Sequence, residues 1–160
     1  MTARIAALVA AYREGADPRM RALPIYNPAL EIEAVGFQPW PGGSIGIMIT
    51  PWFMNTVLLP RGGADRHPGE GSTHRVILPS GSYEFVAAWI EGVGMIRNCS
   101  LFSPMTDFVD QRAARLTAEA ALTALLTAEG NAVPTQAAPP RETPAAISRR
   151  QLLRGANGSF

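Results

Sequence analysis

One cysteine, Cys99, stands alone in 160 residues. That excludes an intrachain disulfide framework and any multi-cysteine metal site, and it fits a reducing compartment. Excess charge is missing as well: 14 basic residues, every one an arginine, oppose 13 acidic ones. Such a balance gives no general case for nucleic acid or for an anionic membrane. Long apolar runs are also lacking. Residues 5–11, IAALVAA, follow Arg4 but are too short to span a bilayer, and they pass into Tyr12-Arg13-Glu14 rather than a cleavage-like region. They read as part of an amphipathic first helix, and the expectation is a cytoplasmic protein without stable membrane insertion.

The familiar catalytic signatures are absent in the same way. Gly42-Gly43-Ser44-Ile45-Gly46 matches G-x-S-x-G literally, but that elbow needs a strand-to-helix turn, and here a Pro/Gly turn precedes a strand. His67 and His74 flank a polar loop with no second ligand pair at metal-binding spacing. Cys99 beside Ser100 reads as a small buried hydrophobe. No Gly-rich phosphate loop opens a helix. The expectation is a protein that is not an enzyme and holds no metal or cofactor; an enzyme reading would need a polar pocket around Cys99, His74 and Glu84.

What is present centres on residues 45–55, IGIMITPWFMN. The first half is saturated with β-branched and apolar side chains, as in a largely buried strand. Pro51 ends the ladder, having no N–H to donate. Trp52, Phe53 and Met54 follow, the rings alone carrying roughly 150–250 Å² each. Successive side chains of a strand point to opposite faces, so two readings stand. Either this density marks a binding surface, or Trp52 and Met54 fill the core and Phe53 covers a second layer.

Around that stretch the pattern predicts a helix over residues 3–14, with Ile5, Leu8, Val9 and Tyr12 on one face. Gly15 and Asp17-Pro18 close it, and a polar connector follows. Strands are expected at 31–37, 44–50, 56–59, 75–78, 83–90 and 95–101, with a Gly-rich polar loop at 61–72. Ser103-Pro104 signals a helix start, placing a long helix at about 105–129 with a stripe of Val109, Ala113, Leu116, Ala120 and Thr123. The fold class expected is α+β and two-layer, an antiparallel sheet of five to six strands flanked by an N-terminal and a long C-terminal helix. Residues 1–130 form the domain. Residues 131–160 are Ala/Pro-rich, with four arginines against Glu142, and read as a disordered basic tail.

Several segments together resemble one family: Leu23-Pro24-Ile25-Tyr26-Asn27-Pro28-Ala29-Leu30, Glu33-Ala34-Val35-Gly36-Phe37, Thr50-Pro51-Trp52-Phe53-Met54-Asn55, Pro79-Ser80-Gly81-Ser82-Tyr83-Glu84-Phe85 and Cys99-Ser100-Leu101-Phe102-Ser103-Pro104-Met105. Their order and content resemble the HybE/HupJ-type [NiFe]-hydrogenase assembly chaperones. The resemblance implies a secretion-chaperone-like α+β fold and an accessory role in maturing a [NiFe] uptake hydrogenase. The implied partner is the small, iron–sulfur subunit precursor with its twin-arginine export signal, with the large subunit, other maturation factors and a homodimer as the further alternatives. Some relatives carry a rubredoxin-like domain with paired CxxC motifs; this chain has no CxxC, so iron binding is not carried over.

Reading an arginine-bearing apolar signal needs an apolar groove and carboxylates, because bidentate pairing recognises a guanidinium best. Pro51, Trp52, Phe53, Met54, Asn55, Tyr26, Phe102 and Met105 are the candidate client-binding residues. Glu31, Glu33, Glu84, Asp107 and Asp110 are the candidate arginine readers. Asn27 and Asn55 read equally well as turn residues. Near the end of the chain, Ser148-Arg149-Arg150-Gln151-Leu152-Leu153-Arg154 is close to the twin-arginine consensus S/T-R-R-x-F-L-K. No apolar stretch follows it, so it reads either as a solvated basic end or as a pseudo-signal. A scaffold that holds hydrogenase subunits regardless of signal is the alternative function.

Overall fold

The computed structural model of the chain describes residues 2–62, 69 and 71–128. Helix α1 (Thr2–Gly15) is followed by a one-turn helix α2 (Pro18–Arg21), six strands and helix α3 (Gln111–Leu125). The strands are β1 (Glu33–Trp40), β2 (Gly43–Ile49), β3 (Met54–Pro60), β4 (Thr73–Leu78), β5 (Gly81–Ile90) and β6 (Gly94–Phe102). Their order is β1-β2-β3-β6-β5-β4, antiparallel at every junction. Two three-stranded meanders thus join along β3 and β6. The expected α+β sheet with a helix from each end of the chain is present.

The two helices take opposite faces of the sheet, so each face has its own core. Ile45, Ile47 and Ile49 of β2 pair across to Leu58, Thr56 and Met54, and the apolar members of this set pack with the alanines of α3. Met48 and Val57 point the other way and pack with Leu8 and Ile32. Burial on both faces explains why β2 reads as a continuous apolar run rather than a clean alternation. α1 buries Leu8 and packs Ile5, Val9 and Tyr12 on the same core, the face expected from their spacing. Arg4 pins the helix down: its guanidinium donates to the carbonyls of Val93 (3.1 Å), Met95 (3.1 Å) and Pro60.

Two helix boundaries differ from the sequence pattern. Asp17-Pro18 closes α1 but also starts α2, with Asp17 Oδ1 accepting from the Arg19 and Met20 N–H groups, both at 3.0 Å. Pro at the first helical position loses nothing, as its N–H would be unpaired there. α3 begins at Gln111, not near Met105, and ends at Leu125. Met105 is wholly buried, and the helix starts only where Asp110 can cap it, Oδ1 accepting from Ala113 N at 2.8 Å. The expected stripe is also rotated: Val109 and Leu116 are exposed, and Ala114, Ala118, Ala121, Leu122 and Leu125 face the sheet.

Alanines are buried there because the helix lies close against the sheet. Leu122 lies where a Cβ on Gly36 of β1 would go, and the Leu125 carbonyl accepts from Ser80 N in the β4–β5 turn at 3.2 Å. Gly36 itself sits at φ 67° within a register shift between Val35 and Gln38, a bulge that bends β1.

Gly46 is a close-approach glycine, since a Cβ there would run into the Phe37 ring. Gly46→Ala is therefore expected to cost about 1–3 kcal/mol by overpacking, read as a lower urea midpoint with unchanged m-value. An unshifted midpoint would show that Phe37 does not rest on β2.

Candidate functional site

Three loops meet at one end of the sheet, and a single side chain ties them. Asn27 donates its backbone N–H to the Pro51 carbonyl (2.8 Å), and its carbonyl accepts from Leu30 N at 3.1 Å. Its Nδ2 donates to Met105 O (2.9 Å) and Phe108 O (2.8 Å), while Oδ1 accepts from Ala29 N at 2.9 Å. The buried carboxamide has both donors and an acceptor satisfied, as burial requires. Asn27 is thus more than a turn residue: it fastens the 22–31 segment to the β2–β3 turn and to the 103–110 loop.

The β2–β3 turn is built on Thr50. Thr50 Oγ1 accepts from Trp52 N (3.2 Å) and Phe53 N (2.9 Å), and Thr50 N donates to Phe53 O at 2.8 Å. This folds Trp52 and Phe53 back onto α1 and the 22–26 segment in a row of four rings. Tyr12 meets Phe53 edge-on at 5.5 Å, Phe53 meets Trp52 at 5.8 Å, and Trp52 stacks on Tyr26 at 6.0 Å. Trp52 is only 8% exposed and Met54 0%, on opposite faces of the sheet.

Of the two readings of Trp52-Phe53-Met54, the core-filling one describes this conformation. Pro51, Asn55, Phe102 and Met105 are also buried, with Phe102 edge-on to Phe108 at 5.2 Å. Among the candidate client-binding residues, only Phe53 and Tyr26 keep part of their surface. The exposed aliphatic surface at this end comes instead from Leu23, Ile25 and Val109, the last 78% exposed. Leu23 and Ile25 flank Pro24, which bars them from a regular ladder. Val109 was placed on a buried helix face because the helix start was read too early.

The five candidate carboxylates divide sharply. Glu33 already holds a guanidinium: Arg115 Nε donates to Oε1 (2.7 Å), Nη2 to Oε2 (3.1 Å), and Gln111 Nε2 adds a bond to Oε2 at 2.7 Å. The Arg115 bonds, then Gln111, hold its pKa below the ordinary Glu value against the opposing effect of burial. Glu33 is therefore not a vacant arginine reader. Glu84 lies on the opposite face from the α3 core, opposite Arg75 across strands with a loose contact of 3.9 Å, away from the loop end. Asp110 commits Oδ1 to the cap of α3. Glu31 and Asp107 are exposed, and Glu31 is held by its backbone N–H, which donates to Gln111 Oε1 at 2.7 Å. The loop end thus combines two outward carboxylates, a capping one and three exposed aliphatics.

The other sequence candidates fall elsewhere. Cys99 is buried and its thiol is pushed up to about 12, first by burial and then by Glu84, so it carries no thiolate at neutral pH. Ser44 is buried in β2, opposite Leu59. His74 lies in β4 with Nε2 2.8 Å from Ser72 Oγ. His67, most of the 61–72 loop, and the tail with Ser148, Arg149, Arg150, Leu152, Leu153 and Arg154 lie outside the described residues. Among the described residues no helix is long and apolar enough to cross a membrane.

The chain as a whole is similar to several known proteins. Residues 3–155 match the family described as [NiFe]-hydrogenase assembly, chaperone, HybE. The chain is 46% identical over 148 residues to the hydrogenase expression/formation protein HupJ of Bradyrhizobium diazoefficiens, covering 92% of this chain and 85% of that one. It is 40% identical over 151 residues to the hydrogenase expression/formation protein HupT of Azotobacter chroococcum, covering 94% of each. The solution structure of HybE from Escherichia coli shares the fold, with a TM-score of 0.63 and 24% identity over 78% of this chain and 77% of that one.

Truncating Asn27 to alanine strands the buried Met105 carbonyl and frees the partly buried Phe108 carbonyl, at about 1–3 kcal/mol for the buried group left unsatisfied. Loss of stability with faster amide exchange in 50–53 and 105–110 is expected, and unchanged exchange would remove Asn27 from its role. Trp52→Ala should cost about 3–5 kcal/mol of stability; a Tm close to wild type would return Trp52 to the surface reading. The Glu33–Arg115 pair sets a pH dependence. Its folded pKa lies below the unfolded one, so its stabilisation is complete above the ordinary Glu value of about 4.3 and is lost as pH falls through the folded value. Urea midpoints of wild type and Arg115→Ala should differ at neutral pH and converge in acid; a gap that persists in acid would rule the pair out as its source.

Proposed function

The chain belongs to the HybE family of [NiFe]-hydrogenase assembly chaperones, and on that premise we propose that its loop end receives the small-subunit precursor through the twin-arginine signal, in the cytoplasm and before export. The observation that carries this reading is the pairing of chemistries on the two loops that Asn27 joins: outward carboxylates on Glu31 and Asp107, and exposed Leu23, Ile25 and Val109. A twin-arginine signal presents the complement, guanidinium groups followed by an apolar stretch.

Each group has a defined part. The carboxylates of Glu31 and Asp107 accept from the signal's guanidinium N–H groups, the free Oδ2 of Asp110 adding a third acceptor. Charge-assisted bonds of this kind are about twice as strong as neutral ones. Leu23, Ile25, Val109 and the open edges of Tyr26 and Phe53 cover the apolar stretch. The Glu33–Arg115 pair shows a guanidinium already seated at this end, held by two bonds. Trp52, Met54, Phe102 and Met105 act behind the surface, holding the loops in place.

The decisive measurement compares the precursor with a small subunit lacking its signal. The precursor should bind more tightly, and Glu31→Gln with Asp107→Asn should remove about three- to tenfold of affinity, each tenfold being about 1.4 kcal/mol. Val109→Asp should weaken binding to a similar degree without lowering Tm, since Val109 buries almost nothing. Equal affinity for precursor and signal-less subunit would overturn this reading in favour of a scaffold that holds subunits regardless of signal.

A further inference from the structure

The sequence of this chain itself holds a candidate ligand for the same loop end. Residues 1–130 carry ten arginines against twelve carboxylates, and residues 131–160 carry four arginines against one, so a body of net −2 bears a segment of net +3. Three of those four arginines and two leucines fall in Ser148-Arg149-Arg150-Gln151-Leu152-Leu153-Arg154. That is the combination the loop end is built to meet, guanidinium groups for Glu31 and Asp107 and aliphatic carbons for Leu23, Ile25 and Val109.

The distances agree. α3 leads from the loop end at Gln111 to the β4–β5 turn, where the Leu125 carbonyl accepts from Ser80 N. Fifteen helical residues rise about 22 Å at 1.5 Å per residue, so the chain leaves the described body about that far from Glu31 and Asp107. Twenty residues separate Ala128 from Ser148 in sequence, and a flexible chain of that length has a root-mean-square span of roughly 25 Å. A linker whose span matches the gap gives close to the maximal effective concentration, of millimolar order. The family match also runs to residue 155, past Arg154.

We propose that the basic segment 148–154 seats on the loop end in cis, with Arg149 and Arg150 on the Glu31 and Asp107 carboxylates and Leu152 and Leu153 against the exposed aliphatics, so that an incoming client must displace it. This rests on the reading that the loop end accepts arginine-bearing apolar segments. An intrinsic tail Kd of about 0.1 mM against about 1 mM effective concentration lowers apparent client affinity about tenfold. Weak contact is therefore enough to hold the site closed to poor ligands and open to good ones.

The test uses the full chain. Cys99 is buried with its thiol pushed up to about 12, so Gln151→Cys supplies one reactive position for a nitroxide. Amides of 23–31 and 106–111 should broaden, and Arg149→Ala with Arg150→Ala in the same chain should abolish the effect. A synthetic peptide with two arginines followed by two leucines should bind that double variant about tenfold more tightly than wild type. Broadening absent from these amides, centred elsewhere on the body, or seen only between isotope-labelled chains and separate nitroxide-bearing ones, would overturn the proposal, the last result pointing to a second copy. Equal peptide affinity in both proteins without broadening sinks the tail contact and leaves the client reading intact. Broadening with a peptide that binds neither protein does the reverse, sustaining the contact and removing the client reading.

Discussion

Buried backbone polar groups need partners even in loops that are mostly exposed, and at this end of the sheet Asn27 supplies them. Unpaired buried carbonyls cost about as much as lost hydrogen bonds, and neither the 22–31 segment nor the 103–110 loop forms a ladder in which to pair. A carboxamide can donate twice and accept once from one position, and Asn27 does so while its own backbone bonds Pro51 and Leu30. Aspartate would bring no donor for the Met105 and Phe108 carbonyls. Serine would reach one of them at most. The aromatic row, the placing of Val109 and the exposure of Glu31 all follow from loops fixed in this way.

The sheet was legible in the sequence because its signal is local. Alternation or a continuous apolar, β-branched run marked the strands, and Pro and Gly marked the turns between them. Helix α3 was less legible because what decides it is remote. Ser103-Pro104 carries start chemistry, yet Met105 is drawn into the core and Phe108 against it, and Asp110 caps instead. The buried face could not be ranked by hydrophobicity either. A helix packed close on a sheet favours small side chains at the contact, so Ala114, Ala118 and Ala121 go in and Leu116 stays out, against the usual preference for burying the larger side chain.

The site divided along the same line. Residues 50–55 read either as a binding surface or as core, because density of rings does not reveal which side water is on. That depends on α1 and the 20–26 segment folding over the turn, from which Trp52 takes most of its cover. Glu31 and Glu33 are two positions apart and alike in kind. One is exposed, and the other is closed by Arg115, 82 residues away. Only tertiary structure separates them. Leu23, Ile25 and Val109 were in view as residues but not as surface.

A chaperone of this kind has to let go, and the chemistry of the loop end is consistent with that. Solvent-exposed carboxylates attract a guanidinium over about one Debye length, near 8 Å at physiological salt, and such groups favour fast encounter and discrimination more than tight holding. Three exposed aliphatics bury little area beside the 1,200–2,000 Å² of a stable protein interface. Strength in the surrounding fold and weakness at the contact are not in conflict. On the proposed reading of the loop end, the rings and the Asn27 bonds set the geometry in advance, so that binding does not have to order the loops and the affinity can be small yet selective. A buried Trp52 serves that arrangement better than an exposed one, because a deep aromatic anchor in the interface would slow release.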